Sequence, residues 1–371
     1  MKKIAITGGH LTPALALLPN LQKEYEVLFI GRKYAFEGDS AESFEYKTIK
    51  EQQIPFQTIT TGRLQRRFSL YTIPSLFKFP YGIMQSFSIL RSFKPDVILS
   101  FGGYVAAPVA LAAFMLGIPI VTHEQTIKAG LANRLIAFFA KKICITFSES
   151  QQYFSKEKTV LTGNLIRKEL YVVPHTSPFA IEEKKLPIVY ITGGSSGSHS
   201  INLLVGEILE PLLTKAVVFH QVGSSSLHDD LAMLSRKAKD LPENLQKRYA
   251  VQEHVRVEEL AWIYHNADIL IGRSGANTVY EVLVFGMPSI FIPLPWASLG
   301  EQEANARLVE KVGLGKVLLQ DTLSSPTLLA AIEEMLKNNK TYKAHKEKGK
   351  KLIEEDAQDK ILAVLSQVLT K

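Results

Sequence analysis

Short apolar runs rich in Ile, Val and Tyr alternate along the chain with longer stretches suited to helices. In the first half, the runs at 3–7, 26–30, 96–101, 118–122 and 142–146 read as strands, with helices at 13–22, 107–116 and 131–139. The second half repeats this, with strands at 188–192, 217–222, 249–252, 268–271, 289–293 and 316–319 and helices at 201–213, 228–238, 258–265, 278–285 and 302–312. Such alternation calls for parallel sheets with right-handed crossovers. A length of 371 residues suits two domains of this kind, and a polar, proline-bearing stretch at 172–187 is the candidate linker. Helical sequence rich in Lys and Glu closes the chain from Pro326.

The sequence Ile-Thr-Gly-Gly occurs at 6–9 and again at 191–194, each time where a strand gives way to a helix. That is the opening unit of a doubly wound α/β domain, so the expected fold class is α/β, with two Rossmann-like parallel-sheet domains facing one cleft. Ligands of open α/β sheets bind beyond the carboxyl ends of the strands. Four glycine-bearing turns fall there: Thr7-Gly8-Gly9-His10, Phe101-Gly102-Gly103-Tyr104, the Gly-Gly-Ser-Ser-Gly-Ser run at 193–198, and the Gly-Arg-Ser-Gly-Ala-Asn-Thr run at 272–278. Glycine lets the backbone approach a ligand, and a helix N-terminus offers free N–H groups, so 193–198 is the best phosphate cradle.

Polar side chains at these ends carry the candidate chemistry. Glu281, one helical turn beyond 275–278, is either a partner for ribose hydroxyls or a solvated helix residue. His10 is either a general base for a sugar hydroxyl or a helix-capping or core residue. His123, Glu124 and Gln125 follow a buried strand and need partners, so they line the cleft or form a buried hydrogen-bond network. The first turn lacks the third glycine of a dinucleotide fingerprint, since Pro13 and Ala14 stand in that region. That argues against an NADP enzyme, although Gly31-Arg32-Lys33 follows the second strand.

Composition is that of an ordinary globular protein, 46% apolar and 21% charged. The single cysteine, Cys144, lies in a strand and excludes a disulfide framework. Met1-Lys2-Lys3 leads directly into the first strand, leaving no room for a signal peptide, so a cytosolic protein is expected. The apolar stretch at 105–121 is broken by Pro108, Gly117 and Pro119 and is too short to span a membrane. The net charge of +7 is unevenly placed: 62–94 has no Asp or Glu, while Arg63, Arg66, Arg67, Lys78, Arg91 and Lys94 alternate with Phe68, Tyr71, Phe77, Phe79, Tyr81, Phe87 and Phe93. Such a stretch suits an anionic membrane surface, or a helix pair with its rings in the core. No nucleic-acid-binding motif accompanies the charge, so no nucleic-acid partner is expected.

The runs TGGHLTPALAL, FGGYVAAPVALAAFMLGIPIVTHEQT, GLANRLIA, GNLIR, ITGGSSGS, GRSGANTVYEVLVFGMPSIFIPLP and EQEANA occur in the order found in the MurG family of inverting GT-B glycosyltransferases, which the chain resembles from about residue 3 to about residue 317. The resemblance implies transfer of N-acetylglucosamine from UDP-N-acetylglucosamine to the 4-hydroxyl of the N-acetylmuramic acid of lipid I, forming lipid II for peptidoglycan. It implies an acceptor and membrane-docking domain at 1–165, rejoined by 346–371, and a UDP-sugar domain at 166–345. Carried onto this chain, Ser195 contacts the diphosphate, Arg167 the nucleotide and the Val257 backbone uracil. Ala276, Asn277, Thr278 and Glu281 line the nucleotide-sugar site, with Glu281 on the ribose and Gln302 on the sugar. Thr7, Gly8 and Gly9 approach from the other domain, with His10 as catalytic base. Thr126 stands at the family's donor-sugar asparagine. Gly102, Gly103, Tyr104, His123, Glu124 and Gln125 are acceptor or cleft candidates. Ala5-Ile6 and Glu301 also replace usual family residues. The implied partners are the two substrates and the cytoplasmic membrane surface, where the enzyme sits peripherally. No cofactor or resident metal is implied; divalent-ion assistance is left open.

Overall fold

The structure, a computed structural model, describes residues 1–9, 11–34, 42–62, 72–174, 177, 179, 186–224 and 228–370, with the backbone alone for 44 and 72–77. The chain divides into two compact units, one made of Met1–Arg167 with Glu354–Lys371 and the other of Lys168–Ile353.

In the first unit, strands β1 (Lys2–Thr7), β2 (Tyr25–Gly31), β3 (Phe56–Thr58), β4 (Val97–Ser100), β5 (Ile120–Glu124), β6 (Lys142–Ile145) and β7 (Thr159–Leu161) form a parallel sheet in the order β3-β2-β1-β4-β5-β6-β7. Every residue of β4 and β5 is buried, as expected of parallel strands covered on both faces. One face packs on the helix Leu11–Glu24 and on the last helix, Ala357–Leu369, through Ile361 and Leu365. The other packs on helices Thr72–Phe93, Ala106–Met115 and Leu131–Phe139.

In the second unit, β8 (Ile188–Thr192), β9 (Val217–Gln221), β10 (Tyr249–Gln252), β11 (Ile269–Gly272), β12 (Ser289–Phe291) and β13 (Gly315–Val317) run parallel in the order β10-β9-β8-β11-β12-β13. Helices His199–Leu213 and Ser325–Lys337 cover one face.

The doubly wound, parallel-sheet expectation holds in both units. Strands β3 and β7, three residues each at the two edges of the first sheet, had no counterpart in the expected elements. The expected linker begins at 172, whereas the second unit begins at Lys168: Leu170 is fully buried, its carbonyl accepts from His265 Nε2 (3.1 Å), and Tyr171 packs on Phe285. Among the described residues no helix is long and apolar enough to cross a membrane.

Candidate active site

In each unit the strand order reverses beside the opening strand, between β1 and β4 and between β8 and β11, and that switch point is where an open sheet leaves a crevice for ligands. In the second unit the crevice is a cavity of about 640 Å³, within the range of small-molecule sites. Its floor is the loop at 193–198, which ends at the helix His199–Leu213. The loop is held by backbone contacts that exclude side chains. Gly197 (φ 77°) and Gly223 (φ 83°) lie so close that a Cβ on Gly197 would meet Val222 O at 2.0 Å, and one on Gly223 would meet Gly197 N at 2.1 Å. Gly197 N–H donates to Gly194 O (3.1 Å) and Gln221 Nε2 donates to the same oxygen (3.1 Å). Ser195 and Ser196 are exposed at the loop's tip.

Beneath the loop lies Arg273, the residue that follows β11, with only 8% of its surface exposed. Nε donates to Ser198 Oγ (3.1 Å), one terminal nitrogen to Ile292 O (2.8 Å) and Pro293 O (3.2 Å), and the other to Ser200 Oγ (2.9 Å) and Gln320 Oε1 (2.5 Å). All these partners are neutral. Burial lowers the pKa of Arg273 to about 10, which still leaves it cationic at neutral pH. Among the described residues no carboxylate lines the cavity. A buried cation with no counterion among the described residues, beside a helix N-terminus, is an arrangement that an anionic ligand completes. Arg273 was not singled out in the sequence; its place directly after a strand, inside a glycine turn, was the available signal.

Of the expected donor residues, Ser195, Thr278 and Gln302 line this cavity. Gln302 accepts from Leu294 N–H through its side-chain oxygen (3.0 Å), so what it can offer a ligand is its NH2 group. Ala276 and Asn277 begin the helix Ala276–Phe285, which Gly275 precedes on the cavity wall. Glu281 is buried on that helix and accepts a 2.6 Å hydrogen bond from Tyr264 Oη. Val257 is the first residue of the helix Val257–Asn266, whose N-cap Arg256 donates its backbone N–H to Glu259. Arg167 closes the first segment of the first unit, with Nε buried and unpartnered among the described residues.

In the first unit the two glycine turns meet at the switch point: Gly9 N–H donates to Gly102 O (2.9 Å), and a Cβ on Gly8 would meet Phe101 at 2.8 Å. Tyr104 lies under the Arg32 guanidinium, 5.2 Å from its ring centre. Of the polar group ending β5, Glu124 anchors a buried network. One carboxylate oxygen accepts from Thr126 N–H (2.9 Å) and faces the Thr126 hydroxyl (2.7 Å); the other accepts from Gly130 N–H (3.2 Å) and Asn133 Nδ2 (2.9 Å). His123 Nε2 sits 2.9 Å from Gly163 O. Gln125 differs: it is 1% exposed and neither of its amide atoms has a partner among the described residues, nor does the hydroxyl of buried Thr7. His10, with Arg63, Arg66, Arg67, Phe68 and Tyr71, lies outside the described residues. Further along the basic stretch, Phe87 and Phe93 pack on the core while Tyr81 and Met84 are exposed.

Residues 7–145 match the Glycosyltransferase family 28 N-terminal domain and 188–361 the Glycosyltransferase family 28 C-terminal domain. A curated relative from Clostridium botulinum, named UDP-N-acetylglucosamine–N-acetylmuramyl-(pentapeptide) pyrophosphoryl-undecaprenol N-acetylglucosamine transferase, is 37% identical over 94% of this chain and 95% of its own. A relative of the same name from Lachnoclostridium phytofermentans is 35% identical over the full length of both. Among solved structures, Acinetobacter baumannii MurG superposes with a TM-score of 0.71 at 26% identity, covering 99% of this chain and 100% of that one.

Proposed function

The chain belongs to glycosyltransferase family 28, and from that premise we propose that it transfers N-acetylglucosamine from UDP-N-acetylglucosamine to the 4-hydroxyl of the N-acetylmuramic acid of lipid I, with inversion, forming lipid II for peptidoglycan synthesis. The observation that carries the donor half is Arg273, a buried cation with only neutral partners beneath a glycine–serine loop at a helix N-terminus. The diphosphate of a nucleotide sugar supplies the missing charge. Ser195 and the loop backbone hold the diphosphate, the Gln302 NH2 group faces the sugar, and Ala276, Asn277, Thr278 and Glu281 serve the ribose side. The Val257 backbone meets uracil and Arg167 supports the nucleotide. As the anomeric bond breaks, negative charge accumulates on UDP, and donors already in place stabilise it without reorganising.

For the acceptor, the unsatisfied amide of Gln125 and hydroxyl of Thr7 support a polar ligand at the strand ends of the first unit, near the Gly102, Gly103 and Tyr104 turn. His10 is the base assigned to the attacking hydroxyl, on the sequence alone. The acceptor's lipid remains in the cytoplasmic membrane, and the first unit offers a surface for it. Tyr81, Met84, Phe114, Met115 and Phe138 are each more than half exposed on three helices packed side by side, with exposed Arg91, Lys94 and Lys141 nearby in sequence. Exposed apolar side chains with cations near them in sequence suit an anionic bilayer surface.

The test is turnover of UDP-N-acetylglucosamine by the full chain with a lipid I analogue in detergent, following UDP and the disaccharide. Acceptor-dependent UDP release with a β-linked product is expected. Donor binding without transfer would overturn the catalytic reading, and absence of donor binding would overturn the donor site as well.

A further inference from the structure

A second cluster stands on the wall of the same cavity. His199, the first residue of its helix, has Nδ1 2.6 Å from Asp230 Oδ1, and the ring of His228 stacks on it with centres 3.7 Å apart and planes 9° apart. Both rings line the cavity, whereas Asp230 is buried behind them. The other oxygen of Asp230 accepts from Asn202 Nδ2 (2.7 Å); Asn202 Oδ1 lies 3.0 Å from His220 Nε2, and His220 Nδ1 lies 2.8 Å from Tyr249 Oη.

The donors fix the hydrogens in this line. Asn202 Nδ2 also donates to Val222 O (3.1 Å), so both its hydrogens are committed and its oxygen accepts from His220 Nε2–H. His220 Nδ1 then accepts the Tyr249 O–H. Burial lowers the pKa of His220 to about 3 and raises that of the Tyr249 phenol, so the first stays neutral and the second keeps its proton. The line of hydrogens therefore runs from Tyr249 through His220 and Asn202 to one oxygen of Asp230, and leaves its other oxygen to His199. Of the charged or titratable groups around the cluster, His228 is stacked on His199, Arg273 is held by neutral partners on the same cavity, and among the described residues His199 is the titratable group hydrogen-bonded to Asp230.

We propose that His199 is a ligand-contacting residue for the donor's diphosphate, taking up one proton when the nucleotide sugar binds. With Nδ1–H held by Asp230, neutral His199 carries a lone pair on Nε2, which cannot donate to a phosphate oxygen. Proton uptake from solvent converts Nε2 into a donor, and the imidazolium then lies between two anions, the Asp230 carboxylate and the diphosphate. Asp230 is the positioning residue. A second positive charge on a ring stacked at 3.7 Å would repel the first, so the proposed uptake is of one proton. The imidazolium also stabilises charge that develops on departing UDP. This rests on the reading that a UDP-sugar occupies the cavity.

The sign follows from linkage: a group protonated in the complex and neutral in the free protein weakens binding as pH rises above its free pKa, by up to about tenfold per pH unit. The experiment is calorimetric titration of the full chain with UDP-N-acetylglucosamine, whose phosphates do not titrate near neutrality, in buffers of different ionisation enthalpy at pH 7.5. Uptake of about half to one proton per donor bound is expected, lost in His199→Gln and reduced in Asp230→Asn, with donor affinity of His199→Gln independent of pH between about 6 and 8. Tight binding by the parent without proton uptake, or uptake that persists in a folded His199→Gln, overturns the assignment while leaving the donor site standing. No binding by the parent chain removes the donor reading and this one with it.

Discussion

Arg273 shows how one side chain fixes a local structure and its chemistry together. Its planar fork reaches five acceptors from three parts of the chain: the hydroxyls of Ser198 and Ser200, the carbonyls of Ile292 and Pro293, and the side chain of Gln320. Lysine would keep the charge but present a single nitrogen with three donors. Arg273→Lys therefore leaves at least two buried acceptors unmade, at about 1 to 3 kcal/mol for each unsatisfied group. The expected outcome is a lowered unfolding midpoint and, because the Ser198 end of the loop loses its tether, a rise in donor KM of about tenfold or more. Thermal unfolding and initial rates against UDP-N-acetylglucosamine check both. An unchanged KM in a destabilised variant would reduce Arg273 to a structural cation.

At the scale of the element, the loop at 193–198 depends on a second loop that no motif marks. Gly194 (φ 84°) and Gly223 (φ 83°) share a left-handed backbone, but a Cβ on Gly194 meets nothing within 4 Å, whereas one on Gly223 would lie 2.1 Å from Gly197 N and 2.2 Å from its Cα. Gly194→Ala thus carries backbone strain alone, about 1 to 2 kcal/mol, and Gly223→Ala adds a clash between two backbones. The second variant is expected to lose more stability than the first and to weaken UDP-sugar binding by a larger factor, measured by denaturant titration and donor affinity. The same contrast shows what was legible in the sequence. The twin Ile-Thr-Gly-Gly turns, the strands before them and the glycine cradle were readable because their determinants are contiguous. The supports behind them were not, because each joins distant positions: Gly223 with Gly197, Asp230 with His199, and Arg273 with Gln320. Glu124 illustrates the same limit: sequence showed a polar group ending a buried strand, but only the fold brings Thr126, Gly130 and Asn133 onto its carboxylate. His10 stays an assignment from sequence.

Across the whole molecule, the two units carry buried titratable groups whose linkage to stability has opposite sign. In the second unit, burial lowers the pKa of His220 from 6.5 to about 3. Below 6.5 the unfolded chain takes up a proton that the folded unit refuses, so this contribution is present above that pH and is lost as pH falls. In the first unit, burial raises Glu45 from 4.5 to about 8, against the pull of neighbouring Arg32. There the folded unit holds a proton that the unfolded chain releases, so the contribution is present below 4.5 and is lost as pH rises towards 8. Between about pH 6.5 and 4.5, acidification therefore weakens the second unit through His220, at up to about 1.4 kcal/mol per pH unit, and strengthens the first through Glu45. Hydrogen exchange followed by mass spectrometry resolves the two. Protection of β9 and β10 is expected to fall between pH 6.5 and 5, relative to a His220→Gln variant in which that dependence is absent. Protection of β2 and of the helix Phe44–Glu51 is expected to rise relative to Glu45→Gln. Identical pH slopes in each parent and variant would mean that neither group keeps its folded protonation state, and with it would go the neutral His220 that leaves Asp230 to His199.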